Sequence, residues 1–157
     1  MESSKFSSDY LKLAYEEAEK ALLESLLSYR EIINKSYIAA AFYVSAIVYL
    51  IDMNEISAFR IILSIASAIS CFIILLNLIS AKMYSPGTEP RYSVHEYFLN
   101  SENQIDKFLV TRLEDVDQKI NFNYKEVGKR NARFKWSAGV FILALIISSF
   151  YVFTGIR

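Results

Sequence analysis

The sequence predicts an all-α integral membrane protein: three transmembrane helices, and two long amphipathic cytoplasmic helices continuous with the membrane bundle. Three observations carry this. Ile61 to Ala81 holds no charged side chain, only Ile, Leu, Ala, Phe, Ser, one Cys and one Asn. At a rise of about 1.5 Å per residue, roughly 20 such residues span about 30 Å, the hydrocarbon thickness of a bilayer. The charges are segregated: they collect in Met1 to Lys35 and Lys82 to Lys135 and are nearly absent from the apolar runs Tyr37 to Ile51 and Trp136 to Thr154. Finally, four glycines and two prolines leave few points at which helices can break. With 54% apolar residues, 22% charged and net charge zero, the chain is too greasy for a soluble domain of its size and too neutral for a general nucleic-acid coat.

The first element is a cytoplasmic helix over 1–36. Ser7, Ser8 and Asp9 offer N-cap side chains, and Leu11, Ala14, Ala18, Leu22, Ser25/Leu26, Tyr29 and Ile33 recur in steps of three and four. Nothing separates this stripe from the first span, 37–53, so one continuous helix is expected. That span carries Tyr37, Tyr43 and Tyr49, whose hydroxyls suit an interface or another helix. Asp52, Met53, Asn54 and Glu55 are too few for anything but a tight antiparallel hairpin into the second span, 56–81. Arg60, one turn in, is expected to snorkel to the headgroups.

Lys82 closes the hairpin region, 37–82, and Pro86-Gly87-Thr88-Glu89-Pro90 forms the strongest break in the chain. The following cytoplasmic region, 83–135, is predicted to contain a short helical piece over 93–100. Ser101 and Gln104 then form a capping box that opens a second long helix. Its apolar stripe runs through Ile105, Leu109, Leu113, Val116, Ile120, Tyr124 and Val127, with Lys107, Arg112, Glu114, Asp117 and Lys125 on other faces. This helix continues into the third span, 136–157. Lys and Arg flank the polar-segment ends of the spans (Arg30, Lys35, Lys82, Arg91, Lys129, Arg130, Arg133, Lys135), against Arg60 and Arg157 on the other side. The positive-inside rule therefore puts both polar segments in the cytoplasm and the C-terminus outside. Polar, amphipathic residues 1–35 show no secretory signal, and no lipidation motif is expected.

Amphipathic stripes must be covered, and three spans with two juxtamembrane helices leave much surface, so the expected partners are further copies of the chain in a closed ring, a tetramer or similar, together with the bilayer. The small pairs Ser64/Ala68, Ala66/Ser70, Ser67/Cys71 and Ala144/Ser148 suit close helix approach within one chain or between chains. Ser64, Ser67, Ser70 and Asn77 form a polar stripe on the second span that either lines a water-filled path or glues helices together. Lys125, Lys129, Arg130, Arg133 and Lys135 are the densest basic cluster, suited to a nucleotide, an oligonucleotide or anionic lipid, or simply to the positive-inside rule. His95 stands without a second histidine, Cys71 is the single cysteine, and no nucleophile triad, phosphate loop or zinc spacing occurs. The expectation is a non-enzyme with no metal and no cofactor.

The hairpin Tyr37 to Ala81, the Pro86 to Pro90 break and the basic, Asn-rich run Ile120 to Lys135 before a third span resemble the small bacterial antiphage membrane effectors. Hailong-type effectors and SLATT-domain proteins are the nearest classes, and the third span goes beyond the two-span SLATT pattern. The resemblance implies a homo-oligomeric, pore-forming effector of the bacterial inner membrane, responding to a cytoplasmic nucleotide signal. In the Hailong class the nucleotide holds the effector silent and its removal opens the pore. A scaffold recruiting a partner protein through its cytoplasmic helices is the alternative, and a holin-like lysis protein a third.

Overall fold

The computed structural model describes residues 8–52, 57–79, 82–86 and 104–154. Three helices account for nearly all of them: α1 (Ser8–Asp52), α2 (Ala58–Leu78) and α3 (Gln104–Thr154). All three are long and apolar enough to cross a membrane. The all-α, three-helix prediction holds, as does the continuity of α1 and α3, whose polar and apolar halves are single unbroken helices. The cap at Ser7, the linker 53–55, Ile56, the last two residues of the predicted second span, residues 87–90 of the break, the short helix 93–100 with His95, the cap at Ser101, and Arg91 and Arg157 lie outside the described residues.

α2 begins at Ser57, whose extended backbone and side-chain oxygen, accepting from the Arg60 N–H at 3.3 Å, make it the N-cap. It ends at Leu78 with Ile79 as C-cap, and 82–86 is not helical. Arg60 Nη2 donates at 2.9 Å to the Ile51 carbonyl, binding the last turn of α1, where carbonyls have no helical partner. That contact closes the expected hairpin.

The chain divides into two compact units. One comprises 1–29 with 82–126, and the other 30–81 with 127–157. In the first, Leu11, Leu22 and Ser25 of α1 and Leu109, Arg112, Val116 and Asn123 of α3 are buried. Two predicted positions change places here. Tyr124 is exposed and Asn123 takes the seam, while Arg112, expected on an outer face, is buried beside Leu109 and Val116 and bonds Asp115 at 3.1 Å. The physical reason is the period: Leu109, Val116 and Asn123 fall seven apart, and a 3.5-residue repeat keeps them on one side where a count by fours drifts off it.

In the second unit the same seven-residue spacing fixes the packing of all three helices. Ser36, Tyr43 and Leu50 of α1, Asn77, Ser70 and Leu63 of α2, and Arg130, Ser137 and Ala144 of α3 are all buried. Contacts between Ser36, Asn77 and Arg130 at one end, and between Leu50, Leu63 and Ala144 at the other, show α1 and α3 running parallel with α2 antiparallel. Two apolar layers are built from these helices: Ala40, Tyr43, Cys71 and Ile74, and Leu50, Leu63, Ala66 and Ala144. Phe141 stacks edge-on with Phe42 and tilted against Tyr43.

Candidate functional site

The second unit distributes polarity the reverse of a soluble protein. Its outer face is Ile38, Val48, Tyr49, Ile65, Phe72, Trp136, Ile146, Phe150 and others, with Phe153 91% exposed. Its interior holds Ser36, Ser67, Ser70, Asn77, Arg130, Ser137 and Ser148 alongside the two apolar layers. Water would reward the opposite arrangement, whereas hydrocarbon accepts an apolar exterior and drives polar groups to find each other inside. This is a membrane-embedded helical bundle.

The interior polar groups occur in tiers. In the first, the Asn77 amide donates to Ser36 Oγ at 3.2 Å and to the Arg130 carbonyl at 2.9 Å, while Ser36 Oγ donates to the Ile32 carbonyl. Arg130, 3% exposed, donates to the Asn77 carbonyl and, at 2.8 Å, to that of Ile79. Arg133, half-buried, donates to the Leu76 carbonyl at 3.3 Å. Two arginines of α3 thus satisfy three carbonyls at the C-terminal end of α2, those of Leu76, Asn77 and the C-cap Ile79, which the helix itself leaves without donors. A guanidinium suits this because its donors form a fixed fork, and each such charged hydrogen bond contributes about 1.5–3 kcal/mol. One apolar layer further in, Ser70 Oγ donates to the Ser137 carbonyl and Ser137 Oγ donates back to the Ser70 carbonyl, both at 3.0 Å. Asn77 Oδ1, Ser67 Oγ and Ser148 Oγ are buried without a hydrogen-bond partner.

The predicted site residues fall into distinct places. Ser67, Ser70 and Asn77 point into the chain's own helix packing and Ser64 is partly buried beside them. Of the small pairs, Ala66/Ser70, Ser67/Cys71 and Ala144/Ser148 are buried within the chain, whereas Ala68 is exposed. The basic cluster divides. Arg130 is an internal clamp, Lys129 is exposed one helical turn before Arg133 on the same face, and Lys135 is exposed about half a turn further round. Lys125 is exposed and belongs to the first unit.

A second polar hub lies in the first unit. Asn123 donates to Ser25 Oγ at 2.9 Å and to the Tyr84 carbonyl at 2.8 Å, and its Oδ1 accepts from the Tyr84 N–H at 3.0 Å. The Tyr84 ring packs edge-on against Phe122, with Lys82 over its other side. In the sequence Asn123 is one residue of the basic, Asn-rich run before the third span. The signal that identifies it is a polar residue spaced at sevens from Leu109 and Val116. Nearby, the Tyr15 hydroxyl donates to Glu19. Burial, then that bond, push its ionisation above the usual phenol value, against the opposing pull of Arg112. Among the described residues no group of three or more His, Cys, Asp or Glu is placed to hold a metal. No family model matches the chain, and no curated protein or solved structure shows significant similarity to it.

Proposed function

We propose that the chain self-associates in a bacterial inner membrane and permeabilises it in response to an anionic nucleotide or oligonucleotide, as an effector of antiphage defence. Its N-terminus would be cytoplasmic and its C-terminus outside. The observation that carries this is the polar interior of the second unit. Hydroxyls, an amide and a guanidinium occupy seam positions where aliphatic side chains would pack more simply, and buried oxygens of Ser67, Asn77 and Ser148 have no hydrogen bond. Such a seam supplies wall for a hydrated path once helices part, whereas an anchor has no use for it. With its helices packed as here, the seam is interrupted by the two apolar layers, so a path requires rearrangement. Lys129 and Lys135, exposed next to the apolar half of α3, supply cations for a phosphate-bearing signal.

Reconstitution into vesicles loaded with a self-quenched dye tests this. Release that depends on protein and responds to added nucleotide is expected, and Lys129→Glu with Lys135→Glu should remove the response. Sealed vesicles under every nucleotide condition would overturn the reading. One observation favours a different role. Leu13, Leu23 and Leu27 are about half exposed on the charged half of α1, a face suited to a partner protein. A stoichiometric partner co-purifying in the absence of any leak would select that non-conducting scaffold instead.

A further inference from the structure

We infer that a phosphate-bearing anion regulates the bundle by competing with α2 for the Arg133 guanidinium, an inference that rests on the anion response proposed above. The two arginines that hold the end of α2 are not equivalent. Arg130 is enclosed, and its Nη1 and Nη2 donate to the Asn77 and Ile79 carbonyls. Arg133 is half-buried and reaches a single α2 carbonyl, that of Leu76, at the long distance of 3.3 Å. Lys129 is exposed on the same face of α3, one turn earlier. An anion drawn to Lys129 therefore meets Arg133 from the accessible side.

The competition is chemically uneven. A neutral carbonyl offers one acceptor, while a phosphate offers several charged oxygens in the geometry a guanidinium fork matches, and ionised pairs bind roughly twice as strongly as neutral ones. An anion at this place wins Arg133 and leaves the Leu76 carbonyl without its donor. The end of α2 then loses one of its four hydrogen bonds to α3, and the outer one goes first. Ile74, fully buried, and Cys71 lie within the next two turns of α2, in the apolar layer that interrupts the polar seam. Loosening α2 there admits water to the layer. Nucleotide phosphate and lipid headgroup phosphate share this chemistry, and the membrane composition separates them.

Cys71, buried and the single cysteine, reports the event without any substitution. The full chain is placed in phosphatidylcholine vesicles, and modification of Cys71 by a water-soluble methanethiosulfonate is timed with and without ATP, then repeated with phosphatidylglycerol included. Dye release is followed in parallel. Modification is expected to be slow in phosphatidylcholine alone and about tenfold faster with the anion, within the range of ordinary allosteric couplings. Acceleration by phosphatidylglycerol without ATP assigns the site to lipid; acceleration only by ATP assigns it to the soluble phosphate. Lys129→Gln should abolish the response. Arg133→Lys, which keeps the charge and loses the fork, should speed modification without any anion. A Cys71 rate indifferent to both anions overturns the inference, and does so even if dye release responds, in which case the permeability reading survives alone. Faster Cys71 modification in vesicles that stay sealed supports the inference and overturns the permeability reading.

Discussion

The two units share α1 and α3 and the same seven-residue spacing, the second adding α2, yet they solve opposite problems. In the first, aliphatic Leu11, Leu22, Leu109 and Val116 fill the seam, and charges such as Glu16, Glu17, Glu114 and Asp117 face outward. In the second, the outside is Ile, Val, Phe and Trp, and serines, Asn77 and Arg130 share the seam with the apolar layers. Helix geometry decides which positions are inside; the surrounding solvent decides what chemistry belongs there. Buried polar residues occur in both seams: Ser25, Arg112 and Asn123 in the first unit, and the serines, Asn77 and Arg130 in the second. What differs is the outer face, charged in the first and apolar in the second.

The most direct way to break the comparison is to put the same charge on both outer faces. Ile65→Lys places an ammonium on the apolar exterior of α2 and should cost about 2.5–3.5 kcal/mol of insertion free energy, measured as the fraction of chains glycosylated across a microsomal membrane. Leu23→Lys, on an equally exposed position of α1, should leave thermal stability in detergent within about 0.5 kcal/mol of the parent. Equal effects would abolish the distinction between the units.

A smaller difference is expected at the two asparagines. Asn123→Leu strips partners from both the N–H and the carbonyl of Tyr84 and should destabilise by about 1–3 kcal/mol in denaturant titration. Asn77→Leu loses two hydrogen bonds, to Ser36 Oγ and the Arg130 carbonyl, against three for Asn123, and removes an acceptor that already lacks a donor, so its net cost should be the lesser of the two. Should Asn77 prove the more costly, polar groups in the second unit are worth more than their hydrogen bonds show.

The smallest effect concerns pH. Tyr15 has its ionisation raised above the unfolded phenol value by burial and by its bond to Glu19. A group whose folded value is raised contributes stability that is complete below the unfolded value and is lost as pH climbs through the folded one. The first unit should therefore loosen slightly in alkali, through the window beginning near the ordinary phenol value, about 10. Tyr15→Phe should remove that component of the alkaline melting curve and leave the neutral-pH behaviour nearly unchanged.

Much of this architecture is legible in the residues. Charge-free runs announce the spans, and the lack of Gly or Pro between polar and apolar halves makes α1 and α3 continuous, as found. The seam itself was harder to see. Counting by threes and fours selects Ile33 and Tyr124, whereas the fold buries Ile32 and Asn123, because small errors of phase accumulate over helices of 45 and 51 residues. Arg130 was hidden for another reason. A cationic cluster beside a span satisfies the positive-inside rule whatever its members do, so the one arginine turned inward looks the same as its neighbours until Ser137 and Ala144 are seen in line with it.

The alternation of polar and greasy tiers carries a last consequence for assembly of the bundle. Were α2 to slide along its neighbours by a single turn, Asn77 and Ser70 would face hydrocarbon side chains and the arginine fork would close on nothing. Aliphatic teeth alone would tolerate such slippage. The buried hydroxyls and amide work as notches of a key, admitting one alignment and rejecting the near misses.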